Sequence, residues 1–219
     1  MSEETNTGSM GKFIVIEGID GAGKGTQIKK LMKRLMTNNI KCYATREPTD
    51  SPIGSLIHQI MTGRISADNR AIACLFAADR VDHLVNSIDG IHQKINAGIT
   101  VISDRYYFSS YAYHGVDIDI DWVININSIS AEILRPTLTV FLDIPVETAL
   151  ERIEKERFHT ELFENRERLI EVKNKYFEAF EKTKNVENVA IVDADTDADT
   201  VEARIWDALS GLVASGNWR

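Results

Sequence analysis

The stretch Phe13-Ile14-Val15-Ile16-Glu17-Gly18-Ile19-Asp20-Gly21-Ala22-Gly23-Lys24-Gly25-Thr26 decides how this chain is read. A short apolar run ends in a glycine-rich segment. Residues 27–36 follow at once, with Ile28, Leu31, Met32, Leu35 and Met36 spaced to fall on one helical face. Strand, glycine-rich turn and helix, in that order, are the setting that the phosphate-loop motif G-x-x-x-x-G-K requires, and Gly18 to Lys24 fit it. The residue types follow from the chemistry. Glycines at 18, 21 and 23 let the backbone wrap with its N–H groups turned inward, and the helix that starts near Lys24 adds the positive end of its dipole. Lys24 supplies a point charge for the β- and γ-phosphates of a nucleotide. A plain glycine turn beside a solvated lysine would not need the flanking strand and helix.

Outward from the loop, the chain alternates apolar strands with amphipathic helices. Residues 40–46 read as a second strand that Glu47-Pro48 ends, followed by a loop, and 53–61 as a short helix. Asp68 is placed to cap a longer helix carrying Ile72, Leu75, Phe76, Leu84 and Val85. Residues 99–104 form a third strand that closes on Asp104, and a loop rich in Tyr and Ser comes next. One helix is expected over 122–134, a fourth strand over 138–143, and a helix opened by Pro145 that runs into a charged segment. A long helix with Leu169, Val172, Tyr176, Phe177 and Phe180 on one face, a fifth strand over 189–193 and a last helix complete the order. Such alternation predicts a three-layer α/β/α sandwich around a five-stranded parallel sheet of the phosphate-loop NTPase type. The ligand site then belongs beyond the carboxyl ends of the strands. Gly18 to Thr26, Arg46-Glu47-Pro48, Asp104-Arg105 and Asp193-Ala194-Asp195 all fall there.

With 219 residues and 43% apolar content, one domain is expected over residues 11–212, with 1–10 a disordered extension and 213–219 a tail. The longest apolar stretch, residues 71–78, is far too short to span a membrane. A net charge of −8 argues against nucleic acid or an anionic membrane as the main partner, while a local arginine cluster can still hold a small anion. Cys42 and Cys74 are too few for a disulfide framework or a zinc site and read as small buried hydrophobes in a reducing, cytoplasmic compartment. The five histidines show no spacing of a metal site or catalytic dyad.

Three arginines, Arg46, Arg80 and Arg105, would hold a second phosphate if the fold brings them to one cleft, because the guanidinium fork matches phosphate oxygens; each alone is the pattern of a surface ion pair. Phe76 and Arg80, four apart on a helix, project side by side to stack on a base and grip its phosphate together, unless Phe76 is plain core. Asp104 is placed like the acid that holds Mg²⁺ in phosphate-loop enzymes, or else it caps its strand and neutralises Arg105. The mixed-charge segment 151–164 reads either as a solvated face or as a lid whose arginine, Arg152 or Arg157, closes over a transferring phosphoryl group.

Taken together these motifs resemble the thymidylate kinase family over residues 13–209. Residues 16–24 look like its loop, with Asp20 in the place of the acid that approaches the nucleotide sugar. Thr45-Arg46-Glu47-Pro48 is similar to its Arg-Glu-Pro signature, and residues 75–80 to the segment whose ring stacks on thymine. The most specific match is 104–115, which puts Arg105, Ser109, Ser110 and Tyr113 in the acceptor site. The resemblance implies transfer of the γ-phosphoryl of ATP, with Mg²⁺, to dTMP. Gly18, Ile19, Asp20, Gly21, Ala22, Gly23, Lys24, Gly25, Thr26, Asp193 and Asp195 would hold ATP. Asp20, Arg46, Glu47, Phe76, Arg80, Arg105, Ser109, Ser110 and Tyr113 would hold dTMP. Lys24, Asp20 and a lid arginine would carry the chemistry, and Thr26 and Asp104 the metal. It also implies a homodimer; the small residues around Ala73, Ala77 and Ala78 could supply that contact or pack within the chain. Relatives often carry an arginine where Gly21 stands, which turns attention to Arg157 or Arg152. A kinase for another nucleoside monophosphate or a deoxynucleoside, or a nucleotide-gated binding protein, are the other readings of the same loop.

Overall fold

A computed structural model describes residues 10–156 and 166–214. The expected extension before residue 10, the lid residues 157–164 with Arg157, and the tail from 215 lie outside the described residues. The strands are β1 (Phe13–Glu17), β2 (Cys42–Arg46), β3 (Thr100–Asp104), β4 (Leu138–Asp143) and β5 (Val189–Asp193). All pair in parallel in the order β2-β3-β1-β4-β5, with Ile14 opposite Ile102 and Leu138 in the central register. The phosphate-loop strand β1 is therefore central and buried at all five positions, which is why its first four residues read as an unbroken apolar run before Glu17, whereas the edge strand β2 is largely open to solvent.

The helices are α1 (Lys24–Thr37), α2 (Pro52–Met61), α3 (Asn69–Val85), α4 (Ile91–Asn96), α5 (Tyr107–His114), α6 (Ile120–Ile126), α7 (Ser128–Ile133), α8 (Val146–Glu156), α9 (Arg166–Thr183) and α10 (Ala198–Ala214). Alternation along β1 sends Phe13 and Glu17 to one face, where Phe13 meets Tyr106 edge-on and Glu17 bonds Ser109 on α5 and Tyr176 on α9. Helices α1 and α10 pack together apart from that group, with Arg34 of α1 bonded to Glu202 of α10. Ser51 caps α2 through Gly54 N–H at 3.1 Å, ahead of Pro52 at the first helical position, and Asp68 caps α3 as expected.

Several expectations are corrected. The Tyr- and Ser-rich segment after β3 is the helix α5, because Phe108 and Tyr111 are core residues and Phe108 packs on Phe180 of α9 at 5.0 Å between ring centres. Residues 122–134 form two helices broken at Asn127. The short α4 is held by buried Ile91 and Ile95. β2 and β3 begin at 42 and 100, later than expected. Met36 is turned to solvent, off the buried face of α1, and Cys74 is exposed while Cys42 is half-buried, so neither cysteine is core. Ala73 and Ala77 are buried inside the chain, which leaves Ala78 as the exposed member of the small-residue set.

Candidate active site

At the carboxyl end of β1 the chain turns through Gly18, Gly21 and Gly23, all at positive φ, and enters α1 at Lys24. Gly21 shows why no arginine stands in this loop. At φ +78 a side chain is strained, and a Cβ there would lie 2.4 Å from the Ala149 carbonyl oxygen of α8. The helix that excludes it brings another arginine. Arg152, one turn from Ala149 on α8, reaches toward the Gly21 carbonyl (3.5 Å) and the Ala194 carbonyl (3.4 Å). Lys24 is buried, its Nζ donating to the Gly18 and Ile19 carbonyls at 3.1 Å each. Burial first, then the Arg105 charge, lowers its pKa to about 8, against the pull of Asp20 and Asp104. An ammonium desolvated among carbonyl oxygens beside a helix N-terminus is poised for a polyanion, which would restore its charged state. Gly25 and Thr26 open to solvent in the first turn of α1. Asp104, at the end of β3, has a buried Oδ1 with no hydrogen-bond partner among the described residues. Asp193, the last residue of β5, and Asp195 beyond it are exposed, the first paired with Arg204 at 2.7 Å, the second accepting from Thr148 Oγ1 of α8 at 3.1 Å.

Beside the loop lies a cavity of about 870 Å³, and Asp20, Arg46, Glu47, Phe76, Arg80, Arg105, Ser109, Ser110 and Tyr113 all line it. The three arginines expected in one cleft thus share it, each held differently. Arg46 is exposed and paired with Asp50 at 2.8 Å. Arg105 takes a left-handed φ of 71, and its guanidinium bonds Asp20, Ser109 Oγ (2.9 Å) and Tyr113 Oη (3.3 Å). Tyr113 in turn donates to Asp20 at 3.0 Å, joining the acceptor motif to the phosphate loop. Arg80 is fully buried: Nε donates to Glu47 Oε2 at 2.7 Å, Nη2 to Ser110 Oγ at 3.1 Å and Nη1 to Asn127 Oδ1. Phe76 is half-buried at the cavity wall rather than plain core, its ring 5.1 Å from that of His114.

Supporting residues that the sequence does not single out hold these groups. Buried Glu17 accepts from the Tyr106 N–H (2.9 Å), Ser109 N–H (3.2 Å), Ser109 Oγ (2.7 Å) and Tyr176 Oη (2.9 Å), capping α5 from a neighbouring strand. That grip steadies the strained turn at Arg105. Burial pushes the Glu17 carboxyl up, with Arg105 acting in the other direction. Buried Asp79 accepts from Thr49 N–H (2.8 Å), Thr49 Oγ1 (2.6 Å) and Ser51 Oγ (2.9 Å), which ties the loop after β2 to α3. His83 bridges Glu47 Oε1 (3.1 Å) and Thr45 Oγ1 (2.7 Å). His114 lines the cavity, and burial, followed by the Arg80 charge, drops its pKa to about 4. Tyr176 was legible only as a core position, and nothing in the local pattern marks Glu17 or Asn127. Asp79 carries a faint signal as the acid beside Arg80.

A central parallel strand feeding a glycine-rich loop and lysine, with an arginine-lined cavity at the same sheet edge, defines a phosphate-loop NTPase fold of the nucleotide-kinase kind. Comparison with known proteins narrows this. The profile of the family described as thymidylate kinase matches residues 16–205, and the chain belongs to that family. A probable thymidylate kinase of Thermococcus gammatolerans is 35% identical over 94% of this chain and 100% of its own length. One from Pyrococcus horikoshii is 41% identical over 65% of this chain and 70% of its own. Among solved structures, the thymidylate kinase of Candida albicans superposes with a TM-score of 0.77 at 25% identity, covering 96% of this chain and 94% of that one.

Proposed function

We propose that this chain transfers the γ-phosphoryl group of ATP to dTMP, giving dTDP and ADP. Family membership supports the reaction class, and the observation that carries the acceptor is the cavity beside the phosphate loop, where Phe76 offers a stacking face next to a pinned Arg80. In this reading Lys24, the loop N–H groups and the α1 dipole hold the donor phosphates. Arg46 and Arg105 hold the acceptor phosphate, Asp20 and Tyr113 face its sugar, and Glu47 and Ser110 position Arg80 against the base. Asp193 and Asp195 border the donor base. No general base is required, since a phosphate monoester has a second pKa of about 6 and is largely dianionic at neutral pH. The protein's task is to place two polyanions in line and offset their charge. Arg152 already lies over the loop and is the cation we assign to the transferring group, with Arg157 outside the described residues.

Mg²⁺ fits this site. The Asp104 Oδ1, buried and without a hydrogen-bond partner among the described residues, has the hard-oxygen chemistry the ion takes, and Thr26 is exposed in the first turn of α1. Held by Asp104 with Thr26 nearby in the chain's phosphate loop, the ion would supply positive charge that offsets the donor phosphates. Two copies would pair through α3, where Ala71, Cys74, Ala78 and Val85 are exposed at helical spacing and Ile88 follows. No helix among the described residues is long and apolar enough to cross a membrane. The exposed Cys74 thiol accords with a reducing, cytoplasmic setting. Turnover with MgATP across dTMP, dUMP, UMP, dCMP and AMP tests the reading. The highest kcat/KM is expected for dTMP. A better substrate among the others overturns the acceptor assignment, and slow ATP hydrolysis indifferent to every monophosphate would favour a nucleotide-gated binding protein.

A further inference from the structure

Asn127 breaks what the periodicity of residues 122–134 reads as one helix. It ends α6 and opens α7 at φ −97 and ψ −1, with no exposed surface. Its backbone carbonyl accepts from Ser130 N–H (3.1 Å) and Ala131 N–H (3.2 Å), so the second helix starts on it. Its side chain does separate work. Nδ2 donates to the Val123 carbonyl at 2.8 Å, one of the orphan acceptors at the end of α6. That bond fixes which way the amide faces, because only Oδ1 can accept from a guanidinium and only Nδ2 can donate to a carbonyl. The oxygen is thereby turned onto Arg80 Nη1.

We propose that Asn127 is the positioning residue for Arg80, the device that aims this arginine at the base of the acceptor. The inference rests on the reading of the cavity as a monophosphate site. A guanidinium carries five N–H groups. In Arg80 three are taken, by Glu47 at Nε, Asn127 at Nη1 and Ser110 at Nη2. The bond to Glu47 alone would leave the plane free to pivot about that contact. Bonds at both terminal nitrogens remove the pivot, so the two remaining N–H groups, one on each terminal nitrogen, keep one direction. A group that presents only donors in a fixed direction favours a base with a carbonyl at that edge over one with an amino group. Glu47 comes from the end of β2, Ser110 from α5 and Asn127 from the helix break, so the aim of Arg80 depends on three separate elements.

Two substitutions separate this role from simple support of the α6–α7 junction. N127A removes the acceptor for Arg80 and the donor to Val123 together. N127D keeps an oxygen toward Arg80 but sets a second oxygen against the Val123 carbonyl. Steady-state kinetics with dTMP, dCMP and ATP, and thermal midpoints, are measured on the full chain. N127A is expected to raise KM for dTMP about tenfold and to narrow the preference for dTMP over dCMP, with kcat and the ATP KM within about threefold of wild type, the scale of one lost hydrogen bond to a charged group. N127D is expected to lower the melting midpoint while keeping the dTMP KM within about threefold. A wild-type dTMP KM and preference in N127A overturns the proposal. So does an N127D enzyme whose dTMP KM rises tenfold, and this arm decides alone if N127A does not fold. If wild type phosphorylates another monophosphate in place of dTMP, the acceptor reading falls and the same variants are read on that substrate.

Discussion

Between Gly18 and Thr26 the ligand-facing groups are backbone N–H groups and one lysine, all within a single turn of chain. Around Arg80 they are side chains delivered by β2, α3, α5 and the α6–α7 junction. The loop needs little beyond its glycines, since backbone dipoles point inward once φ is allowed to go positive. The acceptor side needs a buried ion pair, and a buried ion pair is stable only when its remaining hydrogen-bonding capacity is filled. Asn127, Ser110 and His83 fill it. One half of the site is specified by contiguous residues, the other by long-range packing, and the two should fail differently when cut.

The largest effect is expected at Lys24. K24A should lower kcat by on the order of 10³-fold, through loss of a preorganised charge on the donor phosphates, with the melting midpoint kept at or above wild type because a desolvated ammonium is removed. Retained turnover would break the assignment of the loop. At Arg80 the opposite pattern is expected, with stability suffering along with activity. R80A leaves Glu47 buried without its main partner and should cost about 3 kcal/mol in a denaturant titration, besides weakening acceptor binding. A stable R80A protein would mean that His83 suffices to hold Glu47. Arg152 sharpens the boundary between the halves. R152A should reduce kcat by about 10²-fold with the acceptor KM and the melting midpoint little changed, and a normal kcat would move the role to another lid residue.

The sheet was legible because its strands are mostly apolar runs separated by helical periodicity, and the buried centre of a parallel sheet allows little else at 13–16 or 140–142. The helix α5 was not legible. Its Tyr- and Ser-rich composition is poor in helix formers, and it is a helix because Glu17 caps it from β1 and Phe108 packs on α9. The break at Asn127 was hidden for a related reason, since apolar spacing continues through it and only the contact with Arg80 gives that asparagine its meaning.

What the sequence determined by itself is the phosphate loop and the succession of five strands and longer helices around it, because those rest on glycine freedom, local periodicity and the burial of parallel strands. Asp20, Arg46, Arg80, Arg105 and Tyr113 could also be named from their motifs. Tertiary structure alone decided how they are held: that α8 closes the space at Gly21 and brings Arg152 there instead, that Tyr113 and Arg105 meet on Asp20, and that Arg80 is pinned by three elements far apart in the chain. Such contacts follow from which helix face meets which strand end, and no local pattern encodes that.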